Sequence, residues 1–102
     1  MGKEQIKNKI LEEISRNPLG ASMERVSLFG SYTNDSNAGD SDVDILVEFK
    51  PTAKVGFFEL ARLQRSFESV LERPVDLVTP ESLSKFFRSD VLAQAEPIYE
   101  QK

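Results

Sequence analysis

Cysteine and histidine are both missing from these 102 residues. Their absence excludes disulfides, thiolate zinc sites, cysteine nucleophiles and imidazole acid–base catalysis. Any chemistry must run on carboxylates, hydroxyls, amines or a metal held by oxygen. Nor is there an apolar run near the roughly 20 residues of a membrane span, and the opening segment, Met1 to Lys9, is too polar for a signal peptide. No membrane association is expected, and the cytoplasm is the expected location. Excess positive charge is lacking as well: 13 Lys and Arg stand against 17 Asp and Glu, giving a net charge of −4 and a pI near 4.8. That balance argues against direct nucleic-acid binding, which needs a basic patch. A small anionic ligand would need a cation or a nest of backbone N–H groups beside it.

What is present fits a globular chain, with 39% hydrophobic and 29% charged residues. One domain over residues 1–102 is expected, with its core within about 3–99. Ile6, Ile10, Leu11 and Ile14 recur at helical spacing, which predicts a helix from Lys3 to Arg16 that Asn17-Pro18-Leu19-Gly20 stops. Arg25 to Phe29 alternates like a short strand and runs into Gly30-Ser31; the polar stretch Tyr32 to Ser41 reads as a loop. Val43 to Phe49 reads as a second strand, with Val43, Ile45 and Val47 on one face and Asp42, Asp44, Leu46 and Glu48 on the other. Gly56 to Glu72 predicts a helix whose stripe of Phe57, Leu60, Ala61, Leu63, Phe67, Val70 and Leu71 supplies core. Val75 to Val78 forms a third strand. Helical pieces are expected over Pro80–Phe87, capped by Thr79, and over Asp90–Ala95, capped by Ser89. Pro97-Ile98-Tyr99 closes the chain as an extended tail or short strand; Phe86, Phe87 and Tyr99 are expected to pack inward, with an exposed subset docking a helical partner as the alternative. The expected class is α/β (α+β), a mixed sheet with helices packed against it.

Asp42 and Asp44 are two apart on a strand, so their carboxylates project to the same side. Two such anions repel, and burying them without a partner would cost several kcal/mol. A divalent cation relieves that repulsion. Carboxylate-only ligation selects hard ions, Mg²⁺ or Mn²⁺, which combine a few carboxylates with phosphate oxygens and water. Gly30 lets the backbone approach a phosphate, and the Ser31 hydroxyl can donate to one. If the second and third strands pair, Asp76 reaches the same site. Three acids on a metal beside a phosphate-gripping turn meet the needs of in-line phosphoryl or nucleotidyl transfer. Against this stand plainer readings: acids on a solvated strand edge, and Gly-Ser as ordinary turn chemistry.

Phe29-Gly30-Ser31, ten intervening residues and Asp42-Val43-Asp44 resemble the Gly-Ser-x10-Asp-x-Asp pattern of the polymerase-beta-type nucleotidyltransferases. In size the chain is similar to the smallest branch, the minimal nucleotidyltransferases (MNT), and so are the blocks Ser41 to Phe49 and Pro74 to Val78. The resemblance runs from about Val26 to Tyr99. It implies the nucleotidyltransferase fold, with Gly30, Ser31 and Ser41 binding the nucleotide, Asp42, Asp44 and Asp76 as metal-holding catalytic acids, and Asp76 helping to deprotonate the attacking hydroxyl. It also implies Mg²⁺ or Mn²⁺ as cofactor, an NTP (ATP first) as substrate, and a HEPN-type toxin as partner, bound and in some pairs given AMP on a tyrosine. One departure stands out. Where the family carries Arg-Gly after the Gly-Ser, this chain has Asn34-Asp35, which removes an Arg–phosphate contact worth about 1.5–3 kcal/mol. Two other readings compete with the antitoxin enzyme: a catalytically silent module that masks its partner by binding alone, and transfer to a small molecule such as an aminoglycoside.

Overall fold

The computed structural model describes residues 2–29 and 42–101. Its first helix, α1 (Lys3–Arg16), begins where the Gly2 amide donates to Gln5 Oε1 and ends in a small polar knot. There the nearly buried Glu13 carboxylate accepts from Arg16 Nε and from Asn17 Nδ2, each at 2.9 Å, while Asn17 Oδ1 accepts from the Leu19 amide. The chain then doubles back so tightly that a Cβ on Gly20 would sit 2.1 Å from the Ile14 carbonyl oxygen. Only glycine fits that close approach.

Four strands form: β1 (Met23–Phe29), which begins ahead of the expected Arg25, β2 (Val43–Phe49), β3 (Val75–Val78) and β4 (Glu96–Glu100), the short strand at the closing segment. They form one mixed sheet in the order β3-β2-β1-β4. β1 is antiparallel to both β2 and β4, whereas β2 and β3 run parallel across the helix α2 (Phe57–Leu71), as a parallel pair requires. A register shift between Val26 and Ser27 marks the β1–β4 pairing.

The core lies on one face of this sheet. Ile6, Ile10 and Ile14 of α1 and Leu63, Phe67 and Leu71 of α2 close over Val26, Leu28, Val43, Ile45, Val47 and Val75. Each such side chain, fully buried, contributes about 1.5–3 kcal/mol of transfer free energy. α2 starts at Gly56 and stops at Glu72, which takes the left-handed conformation (φ 55°, ψ 40°) usual for a glycine. Partly buried Tyr99 and Ile98 of β4 pack against the same core.

Three expectations about the helices need correcting. Phe57 is not core: it is 79% exposed and stands edge-to-face with its neighbour Phe58, ring centroids 6.1 Å apart. It lies roughly a quarter turn round α2 from the Leu63–Phe67–Leu71 row, in the first turn. The region after β3 is a short 3₁₀ turn (Pro80–Ser82, with Thr79 at its N-cap) followed by one continuous helix, α3 (Lys85–Gln94), so Ser84 starts the helix and Ser89 lies inside it. Nothing between Phe87 and Asp90 breaks a helix. The break falls at Leu83-Ser84, where Arg88 reaches back to donate to the carbonyls of Pro80 and Leu83. Phe86 and Phe87, finally, do not pack inward: they are 87% and 64% exposed, and α3 has no buried residue.

Candidate nucleotidyl-transfer site

The other face of the sheet carries the acids. β2 alternates, so with Val43, Ile45 and Val47 turned into the core, Asp44, Leu46 and Glu48 turn the opposite way. The pairing of β2 with β3 places Asp76 directly beside Asp44. Neighbouring strands are about 4.8 Å apart, so the two carboxylates leave the sheet as close neighbours. On Asp44's other side, β1 contributes Phe29 at the paired position. Asp42, exposed, stands just ahead of β2. Burial, and after it repulsion from Asp76 and Asp42, holds the Asp44 carboxyl above the usual carboxylate range. Asp44 thus lies within electrostatic reach of both Asp76 and Asp42.

The same face treats other acids differently. Arg25 lies between Glu48 and Glu100 across three strands, with N–O distances of 3.5 and 3.8 Å. The ion pairs of Arg16 and Arg25, and that of Lys3 with Glu96, go to other acids, and Asp42, Asp44 and Asp76 stand as a cluster. Such a cluster of like charge suits a hard divalent cation, since its donors are all carboxylate oxygens. Yet among the described residues no group of three His, Cys, Asp or Glu side chains is gathered tightly enough to hold an ion. The donor chemistry fits Mg²⁺ or Mn²⁺, and Asp44 and Asp76 occupy paired positions on neighbouring strands. Gly30, Ser31, Ser41 and the Asn34-Asp35 departure lie outside the described residues.

A cleft of about 490 Å³ opens elsewhere, between α2 and the far side of β3, with Phe57, Leu60, Ala61 and Leu77 in its walls. Its lining includes none of the three acids, and no site is assigned to it. Sequence reasoning missed two neighbours of the acids. Phe29 was legible only as part of the Phe-Gly-Ser run, and its place next to Asp44 needed the strand register. Glu68 of α2, whose carboxylate accepts from the Val75 amide at 3.0 Å, gave no signal beyond a polar position on a helix.

The family of polymerase beta nucleotidyltransferases matches residues 8–102. The chain belongs to this family. As a nucleotidyltransferase it is 33% identical over 91 residues to a protein of Methanocaldococcus jannaschii that carries the provisional name protein adenylyltransferase, covering 89% of this chain and 91% of that one. Among solved structures it is similar to a chain in the crystal structure of a toxin–antitoxin with AMP-PNP (TM-score 0.75, 27% identity, 94% of this chain and 74% of that chain). It is also similar to a chain in a complex of a tri-AMPylated HEPN toxin of Shewanella oneidensis with an MNT antitoxin (TM-score 0.71, 25% identity, 97% of this chain and 73% of that chain). These likenesses place this nucleotidyltransferase in the minimal branch. The mixed sheet with packed helices is the nucleotidyltransferase fold. Among the described residues no helix is long and apolar enough to cross a membrane.

Proposed function

We propose that this nucleotidyltransferase transfers AMP from ATP to a tyrosine hydroxyl of a HEPN-type toxin and thereby acts as its antitoxin in the cytoplasm. The observation that carries the site is the β2–β3 register, which sets Asp76 beside Asp44 on the face away from the core. In this reading Asp42, Asp44 and Asp76 hold Mg²⁺, with Mn²⁺ as a substitute, and Gly30, Ser31 and Ser41 bind the phosphates. The bound ion would supply charge neutralisation for the triphosphate and the leaving pyrophosphate. Asp76, on the edge strand and exposed, takes the proton from the attacking hydroxyl. That oxygen bonds to the α-phosphorus as the bond from the α-phosphorus to the bridging oxygen breaks, so nucleotidyl group and pyrophosphate part in line. The protein adenylyltransferase name of the M. jannaschii relative supports AMP as the group moved, and the S. oneidensis complex supports the partner class.

The test is incubation of the purified chain with α-labelled ATP, Mg²⁺ and a HEPN-type toxin that co-purifies with it. Label should pass to the toxin, and Asp42→Asn and Asp44→Asn should each cut transfer by at least about 100-fold, in the range seen when one electrostatic contact to the transition state is removed. Tight complex formation with no transfer by the wild-type chain would favour the silent binding module instead.

A further inference from the structure

The Val75 amide belongs to the outer edge of the sheet. The Val43 amide donates to the Pro74 carbonyl at 3.0 Å, so the backbone groups of Pro74 and Asp76 turn toward β2, and those of Val75 turn away from it. An outward amide on an edge strand ordinarily meets water or another strand. Here it donates to the Glu68 carboxylate of α2, although the Val75 side chain beside it is almost fully buried. The first residues of β3 are thus held from both sides, by β2 through Pro74 and by α2 through Glu68. Asp76 is the next residue. β3 has only four residues and pairs on one side alone, so its register rests on the β2 ladder, on the burial of Val75 and Leu77, and on this bond. A slip of one residue would turn Asp76 to the core face and Leu77 to the acid face.

We propose that Glu68 is a positioning residue of the transfer site: its hydrogen bond to the Val75 amide fixes the register that keeps Asp76 beside Asp44. The inference rests on the reading of Asp44 and Asp76 as the metal-holding pair. Glu68 touches neither nucleotide nor acceptor in this account and acts only through the strand. A carboxylate accepting from a backbone amide, here at 3.0 Å, is directional, which suits it to fixing register.

Two variants and two measurements test it. Glu68→Ala removes the acceptor, and Glu68→Gln keeps a carbonyl oxygen in its place. In the metal-free protein, amide hydrogen exchange at Val75 should speed up at least 10-fold in Glu68→Ala and return to within about threefold of wild type in Glu68→Gln, with exchange at Leu28 in the core unchanged in both. In steady-state transfer from ATP to the HEPN-type toxin, Glu68→Ala should lower kcat about 10-fold with KM for ATP within twofold, and Glu68→Gln should recover most of it. Unchanged exchange at Val75 in Glu68→Ala overturns the clamp. Faster exchange with unchanged kcat overturns its role in positioning Asp76, and equal losses in both variants would assign the effect to the charge of Glu68. A wild-type chain that transfers nothing sinks the reading of the site itself, and the exchange data then still decide whether the clamp exists.

Discussion

The two faces of β2 are made from the same seven residues and bury different chemistry: apolar side chains alone on one, an acid beside fully buried Leu46 on the other. Val43, Ile45 and Val47 are fully buried under α1 and α2, whereas Asp44 on the other face is half-buried between Phe29 and Asp76. On the first face every neighbour stabilises the next. On the second, burial and like charge both act against the ionised carboxylate. The contrast teaches where stability and chemistry reside: the core face supports the sheet, and the acid face carries a cost that a bound cation would remove. A protein shaped by stability alone would place an apolar side chain or an ion pair at Asp44, as it does with Arg25 between Glu48 and Glu100.

The largest expected effect falls on the core face. Phe67→Ala should cost about 3–5 kcal/mol, read as a lower urea midpoint with the slope preserved, because it leaves a cavity under the sheet. Next, Glu72→Gly should stabilise the chain by about 1 kcal/mol, since the left-handed end of α2 no longer holds a Cβ. On the acid face the sign reverses relative to the core. Asp44→Asn should stabilise the metal-free protein by about 0.2–1 kcal/mol at neutral pH, the scale of a relieved like-charge cross-strand pair. The pH dependence follows from the raised Asp44 carboxyl. A group with a raised folded-state pKa contributes stability that is fully present below its unfolded value and is lost as pH rises through the folded value. The stability gap between Asp44→Asn and wild type should therefore open as pH rises through the Asp44 titration, and close in acid. Smallest of all, Phe86→Ser with Phe87→Ser should shift stability by under about 0.5 kcal/mol per residue, because both rings lie in solvent on α3.

This division also explains what was legible in the sequence. The core face was readable because its signal is periodic: the Ile6-Ile10-Ile14 row gave α1 its bounds, and the alternation Val43-Ile45-Val47 gave β2. Asp42 and Asp44 could be read as a pair from the same period of two. Asp76 needed more. Its place depends on β3 lying parallel to β2 in one particular register, and local sequence carries little of that information. Glu68 was invisible for the same reason, being seven residues from the amide it holds, across a helix end and a turn. Around α3 the pattern misled: Phe86 and Phe87 are hydrophobic, but the helix joins opposite edges of the sheet and its periodicity faces no layer that would bury them.

The central claim, that Asp44 and its neighbours form a divalent-cation site, is tested most directly by thermal unfolding of the wild-type chain and Asp44→Asn across a titration of Mg²⁺ or Mn²⁺. A ligand that binds only the folded state stabilises it by RT ln(1 + [L]/Kd), so Tm climbs with the logarithm of its concentration once that exceeds Kd. A metal site at Asp44 predicts a wild-type Tm that climbs with the logarithm of metal concentration above Kd and stays flat in Asp44→Asn, even though the variant starts from the higher metal-free Tm. An equal rise in both proteins, or none in either, would contradict it.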